Sequence, residues 1–177
     1  MPTPRRLLTT EPLTAEAFAP FGDVIEASDR ARHFAINNGS TERYHDLARI
    51  DVTSGGGHAI LSIFRARPRA LPMQLLLLER HPLSSQAFMP LSPLPYLVVV
   101  AEAAPQPDLA RLRCFRAAPG QGVNYARGTW HHPLLALQAE SDFLVVDRGG
   151  DGGDANCDEY PLTDIPCWID PANVNAP

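Results

Sequence analysis

The stretch Glu79-Arg80-His81-Pro82-Leu83-Ser84-Ser85-Gln86 decides how this chain is read. It follows an apolar run, Leu75-Leu76-Leu77-Leu78. On a strand, side chains alternate between faces. Glu79 and His81 therefore point to one side and Arg80 to the other. A carboxylate beside an imidazole at a strand end can bind a metal or divide acid and base roles in proton transfer. The same pair also fits a purely structural strand end, so the stretch needs a second signal.

That signal is Gly120-Gln121-Gly122-Val123-Asn124-Tyr125-Ala126-Arg127-Gly128-Thr129-Trp130-His131-His132-Pro133. Adjacent histidines on a strand face opposite sides, so one of the two enters an interior. The other packs under the rim or on Trp130. Consecutive histidines at a strand start, behind a glycine-rich turn, tip this cluster toward function.

Outward from the two clusters, 18 prolines and 12 glycines cut the chain into short pieces. Such punctuation predicts an all-β barrel or sandwich. One helix is expected over Ala15–Phe18, with Thr14 as its cap and Pro20 and Gly22 as its stop. A second helical turn is expected from Asp108 to about Arg113. The expected strands are Tyr44–Val52, His58–Phe64, Gln74–His81, Gln86–Met89, Tyr96–Ala101, Leu112–Ala117, His132–Gln138 and Asp142–Asp147. The leucine run and Leu97-Val98-Val99-Val100 lack alternation, which predicts burial on both faces. Residues 1–177 read as one domain, with a flexible acidic tail from about residue 149. Gly149-Gly150-Asp151-Gly152-Gly153-Asp154 lacks the ligand spacing of a calcium loop and reads as a solvated turn.

Composition closes several functional classes. Net charge is −5, which argues against nucleic acid and anionic membrane as partners. All 15 basic residues are arginine, so Schiff-base and P-loop lysine chemistry are excluded. Cys114, Cys157 and Cys167 form no paired spacing and read as reduced thiols. No apolar run is long enough for a signal peptide or a membrane helix. These features place the protein in the cytoplasm. The chain also lacks G-x-S-x-G, G-x-G-x-x-G and H-E-x-x-H patterns.

The spacing Glu79-x-His81-x-x-x-x-Gln86 resembles the first cupin motif, with Glu in place of its first His and Gln in place of its acid. Ala126-Arg127-Gly128-Thr129-Trp130-His131 resembles the second, with Ala in place of Pro. This resemblance implies a mainly all-β, cupin-like β-barrel or jelly roll with one or two short helices. It also implies convergence of Glu79, His81, Gln86 and His131, a set suited to a divalent transition metal such as nickel.

Beyond the fold, the chain resembles the ureidoglycolate lyases of allantoin degradation along nearly its whole length. The resemblance runs through Phe21-Gly22-Asp23-Val24-Ile25, Ile36-Asn37-Asn38-Gly39, Glu42-Arg43-Tyr44-His45-Asp46-Leu47 and Glu79-Arg80-His81-Pro82. It continues through Gln86-Ala87-Phe88-Met89-Pro90, Gly122-Val123-Asn124-Tyr125, Trp130-His131-His132-Pro133 and Asp142-Phe143-Leu144 to Asp147-Arg148-Gly149-Gly150. It implies a homodimer that releases urea and glyoxylate from (S)-ureidoglycolate, with a divalent metal and no organic cofactor.

That reaction asks for a base on the substrate hydroxyl and an acid at the leaving nitrogen. His131 or His81 is the expected base, and Glu79 or the other histidine the expected acid. Arg148 is the expected carboxylate socket. Gln86, Asn124, Tyr125, His132, Arg43 and His45 are the further expected substrate contacts. The rival readings are a ureidoglycolate amidohydrolase, which would release ammonia, and a small-molecule-binding cupin without turnover.

Overall fold

The computed structural model describes residues 6–151, 156–163, 165–170 and 174. In chain order the elements are β1 (Arg6–Leu8), β2 (Thr10–Pro12), helix α1 (Ala15–Phe18), β3 (Gly22–Ile25), β4 (His33–Ile36), β5 (Thr41–Tyr44), β6 (His58–Ala66), β7 (Met73–Leu75) and β8 (Leu77–Arg80). They continue with β9 (Gln86–Pro90), β10 (Tyr96–Ala101), β11 (Arg113–Ala117), β12 (Gly122–Tyr125), β13 (Trp130–His131), β14 (Leu135–Ala136), β15 (Ser141–Gly149), β16 (Asp158–Pro161) and β17 (Cys167–Ile169).

Two main sheets carry the fold. One runs β16-β8-β13-β10-β11-β2, with β14 also paired to β10; the other runs β3-β12-β9-β15-β6. A small third sheet, β1-β17-β7, and a separate β4-β5 hairpin complete the set.

Strand β10 explains the layering. Its alternate residues Leu97, Val99 and Ala101 join a core with Leu75 of β7, Cys167 and Ile169 of β17, Leu78 of β8 and Trp130 of β13. Tyr96, Val98 and Val100 join a second core with Phe88, Val123, Phe143 and Val145. The strand thus lies between the small sheet and the five-stranded sheet, in the middle of three layers. Burial on both faces explains why this segment reads as an uninterrupted apolar run. Each fully buried aliphatic side chain contributes about 1.5–3 kcal/mol.

The all-β expectation holds, as does the helix: the Thr14 side chain accepts from Ala17 N–H and α1 spans Ala15–Phe18. The turn expected at Asp108 is a short 3-10 turn over Leu109–Arg111, capped by the Asp108 side chain. All three cysteines are free.

Several expectations are corrected. The leucine run is not buried on both faces: Leu76 is 62% exposed where β7 gives way to β8, while Leu75 and Leu78 are buried. Tyr44–Val52 is not a strand; pairing ends at Tyr44, and Arg49 N–H is held by the Asp23 carboxylate instead. Of the strand expected at His132–Gln138 only Leu135–Ala136 forms, and β13 stops before it at His131, because Pro133 has no N–H to continue the ladder. The stretch after residue 149 also does more than trail away. Strand β16 pairs antiparallel with β8, and β17 pairs with both β1 and β7. Part of the acidic glycine loop, residues 152–155, lies outside the described residues. No helix among the described residues is long and apolar enough to cross a membrane.

Candidate active site

The site is built where β13 pairs with β8. His131 stands directly opposite Glu79 in the antiparallel register. Directly paired residues share a face, so carboxylate and imidazole meet. Trp130, on the opposite face, packs into the outer core and shows why His131 is the inward histidine of the doublet. The two motifs are also clasped together: Gly128 N–H donates to the His81 carbonyl at 3.0 Å. Gly128 has φ +77°, a conformation that glycine adopts without steric cost.

The geometry of the cluster is close. His131 Nε2 lies 3.3 Å from Glu79 Oε1, near enough to pair but off the line of a hydrogen bond. The His81 and His131 ring centroids are 5.3 Å apart. Tyr125 stacks on His131 at 4.1 Å with 12° between planes. One donor atom from each of Glu79, His81 and His131 falls within 4.8 Å of the others.

A backbone carbonyl meets Nδ1 of each ring. His81 Nδ1 lies 2.7 Å from the Asn156 carbonyl and His131 Nδ1 lies 3.1 Å from the Thr129 carbonyl. A carbonyl only accepts, so His131 Nδ1 carries that ring's proton and its Nε2 is turned toward Glu79. His81 Nε2 lies 3.1 Å from Gln86 Oε1, likewise an acceptor, so both nitrogens of the His81 ring face oxygen. His131 Nε2 is buried without a hydrogen-bond partner among the described residues. Two imidazoles and a carboxylate, with a donor atom of each within 4.8 Å of the others, form a set that fits a divalent metal.

The electrostatics follow from burial and mutual charge. Burial works to raise Glu79, but contact with His131 and the charges of His131, His81 and His132 outweigh it and hold the carboxyl below its ordinary range. Burial, aided by the charge of His131, lowers His81. Burial also lowers His132, with nearby Arg69 adding to the effect. Burial raises the Tyr125 phenol well above its usual value, so it stays protonated.

Two cavities flank the cluster. The larger, about 390 Å³, is lined by Glu79, Tyr125, His131, His132, Phe64, Phe88 and the arginines 65, 67 and 69. The smaller, about 150 Å³, is lined by His81, Ser84, Gln86, Asp147, Arg148, Asn156 and Cys157. The larger falls within the size range of small-molecule sites.

The structure thus gathers Glu79, His81, Gln86, Tyr125, His131 and His132 in one neighbourhood. Arg148 is adjacent, but its guanidinium donates to the carbonyls of Ser54, Gly55 and Asp151 at 2.9–3.1 Å. It braces the 54–57 turn. Asn124 belongs elsewhere: Val123 and Tyr125 face the core, so Asn124 points to the other side of β12, donating to Asp23 and to the Arg49 carbonyl. Arg43 and His45 are not brought to this cluster. Arg43 lies on the exposed β4-β5 hairpin, and His45 follows it beside a different cavity with Asp46 and Arg32.

Sequence reasoning passed over Asn156, whose carbonyl orients His81 and whose side chain accepts from Leu83 N–H. Nothing local in the sequence marks it. Arg67 and Arg69 were also passed over, although Arg65-Ala66-Arg67-Pro68-Arg69 places three cations in five residues of an acidic chain. That density was a legible signal.

Comparison with known proteins finds relatives along most of the chain. A profile of the family described as ureidoglycolate lyase matches residues 5–170. A ureidoglycolate lyase of Burkholderia cepacia is 59% identical over 158 residues, covering 88% of this chain and 86% of that protein. One from Stutzerimonas stutzeri (strain A1501) is 52% identical over 171 residues, covering 96% of this chain and 99% of the relative. One from Pseudomonas putida (strain W619) is 54% identical over 159 residues, covering 90% and 93%.

Proposed function

This chain belongs to the ureidoglycolate lyase family, and we propose that it eliminates urea from (S)-ureidoglycolate to leave glyoxylate. The observation that carries this reading at the site is the convergence of Glu79, His81 and His131 beside a cavity of small-molecule size. The chain acts as one domain in the cytoplasm, as a homodimer; free cysteines and an acidic, lysine-free composition support that setting.

Ureidoglycolate carries hydroxyl, carboxylate and ureido nitrogen around one carbon. Elimination removes the hydroxyl proton, turns the C–O bond into the aldehyde of glyoxylate, breaks C–N, and returns a proton to the departing nitrogen. His81 is the base: burial keeps it neutral near pH 7. Glu79 is kept ionised, so it cannot open the cycle as the acid. His131, 3.3 Å from Glu79, delivers the proton to the leaving nitrogen. Tyr125, stacked on His131, keeps that ring from rotating.

A divalent metal, nickel among the candidates, would be held by Glu79, His81 and His131 with Gln86 beside them, and would supply polarisation of the substrate hydroxyl. With those donors occupied, His132 is the imidazole on the cavity wall still able to move a proton.

The deciding experiment measures urea, ammonia and glyoxylate from purified protein and ureidoglycolate. Equal amounts of urea and glyoxylate are expected. Ammonia as the primary product would replace the lyase with an amidohydrolase. Binding without turnover would leave only a small-molecule-binding protein.

A further inference from the structure

The larger cavity contains cations that no internal partner uses. Arg65 is held on β6 by Asp142, its cross-strand neighbour on β15, through bonds of 2.7 and 2.9 Å. Arg67 and Arg69 follow it, line the same cavity, and have no side-chain hydrogen bond or ion pair among the described residues. Most other arginines of the chain have such partners: Arg80 with Asp158, Arg113 with Glu11, Arg127 with Asp51. Arg67 and Arg69 are exposed at the edge of this cavity, so their guanidinium groups are available to an anion that enters it.

The backbone holds them there. After β6 ends at Ala66, Arg69 N–H donates to the Ala136 carbonyl at 2.9 Å, tying the segment across to β14. That bond carries Arg69 toward His132, close enough for its charge to act on the imidazole. The cavity therefore has two cations on one wall and Glu79 with His131 on another. The opposite cavity is poorly suited to an anion. Its arginine, Arg148, is spent on carbonyls, and Asp147 lines the same space.

We infer that Arg67 and Arg69 form the socket for the substrate's carboxylate, orienting the reacting carbon toward Glu79 and His131. Guanidinium suits this task because its planar donors match the two carboxylate oxygens. The socket sets specificity for α-hydroxy acids bearing a ureido group over the corresponding neutral amides. It also binds the product glyoxylate by the same two oxygens. This inference rests on the lyase reading for its substrate, while anion binding can be scored without turnover.

The test compares wild type with Arg67→Gln, Arg69→Gln and the double variant. Kinetics with ureidoglycolate are paired with calorimetric binding of glyoxylate and of uncharged glycolamide. Loss of a charge-assisted contact is expected to raise KM and weaken glyoxylate about tenfold in each single variant, with kcat little changed. The double variant should lose about a hundredfold, again by the size of charge-assisted bonds. Arg69→Lys should recover part of the loss. Added salt should weaken wild-type glyoxylate binding and leave the double variant nearly insensitive. Unchanged KM and glyoxylate affinity in the double variant would overturn the socket even if wild type releases urea. Absence of urea from wild type would instead overturn the lyase reading, with the glyoxylate comparison still judging the socket.

Discussion

Glu79 and His131 face each other across one antiparallel register pair, carboxylate oxygen 3.3 Å from imidazole Nε2. The pairing makes the charge of Glu79 depend on His131. Glu79 stays ionised because His131 is beside it, despite burial that works against a charge.

Glu79→Gln keeps the shape and removes the charge. Loss of that charge beside His131 is expected to lower kcat by about 10²–10⁴-fold, the size of the acid–base assistance it supports. Urea release measured at saturating substrate reports the loss, with circular dichroism confirming the fold. Activity within a factor of three of wild type would remove Glu79 from the mechanism.

Arg148 has a structural task, so Arg148→Gln should affect stability more than substrate binding. Loss of three buried bonds to carbonyls is expected to cost about 2–4 kcal/mol. Gly57→Ala should act in the same direction, because an added Cβ would lie 2.3 Å from Arg148 Nε and from the Val52 carbonyl. Denaturant unfolding measures both. A raised KM at undiminished stability would return Arg148 to the role of carboxylate socket.

The buried imidazoles set a pH dependence. His81 and His132 have folded values below the ordinary value of about 6.5. Between that value and the depressed ones, the unfolded chain binds more protons than the folded chain. Stability therefore falls as pH falls through that window. Glu79, also depressed, adds its loss below about 4.5. Asp147 is raised by burial and works in the opposite direction, its share being lost as pH rises through its folded value. Thermal melts should show Tm declining from pH 7 to pH 5, with a shallower decline in His132→Gln. A flat profile, or an unaltered slope in the variant, would contradict the assignment.

Gly128→Ala forces a side chain into a φ of +77°. Such strain costs about 1–3 kcal/mol. Because Gly128 N–H holds the His81 carbonyl, activity should fall together with stability. A variant as stable and active as wild type would show that the clasp between the two motifs is dispensable.

Metal content gives a separate check on the donor cluster. Protein loaded with nickel or zinc and dialysed should retain one ion per chain, and His131→Ala should lose it. Retention by that variant would place the ion elsewhere.

What the sequence determined by itself was local and periodic. Strand alternation paired Glu79 with His81, the threonine cap placed α1, and the uninterrupted run at Leu97–Val100 marked a strand covered on both faces. These depend on neighbours within a few residues, so they can be read from one chain. The leucine run misled for the same reason: apolar residues at Leu75–Leu78 do not announce the break that leaves Leu76 in solvent. The tertiary structure decided what depends on distant partners. It packed Trp130 into the outer core and so turned His131 toward Glu79. It turned Asn124 away and committed Arg148 to the carbonyls of residues 54, 55 and 151. It brought the 156–161 segment back to β8, where the Asn156 carbonyl meets His81 Nδ1. Residue type tells which chemistry a side chain can perform. Only packing tells whether its hydrogen-bonding capacity is already spent.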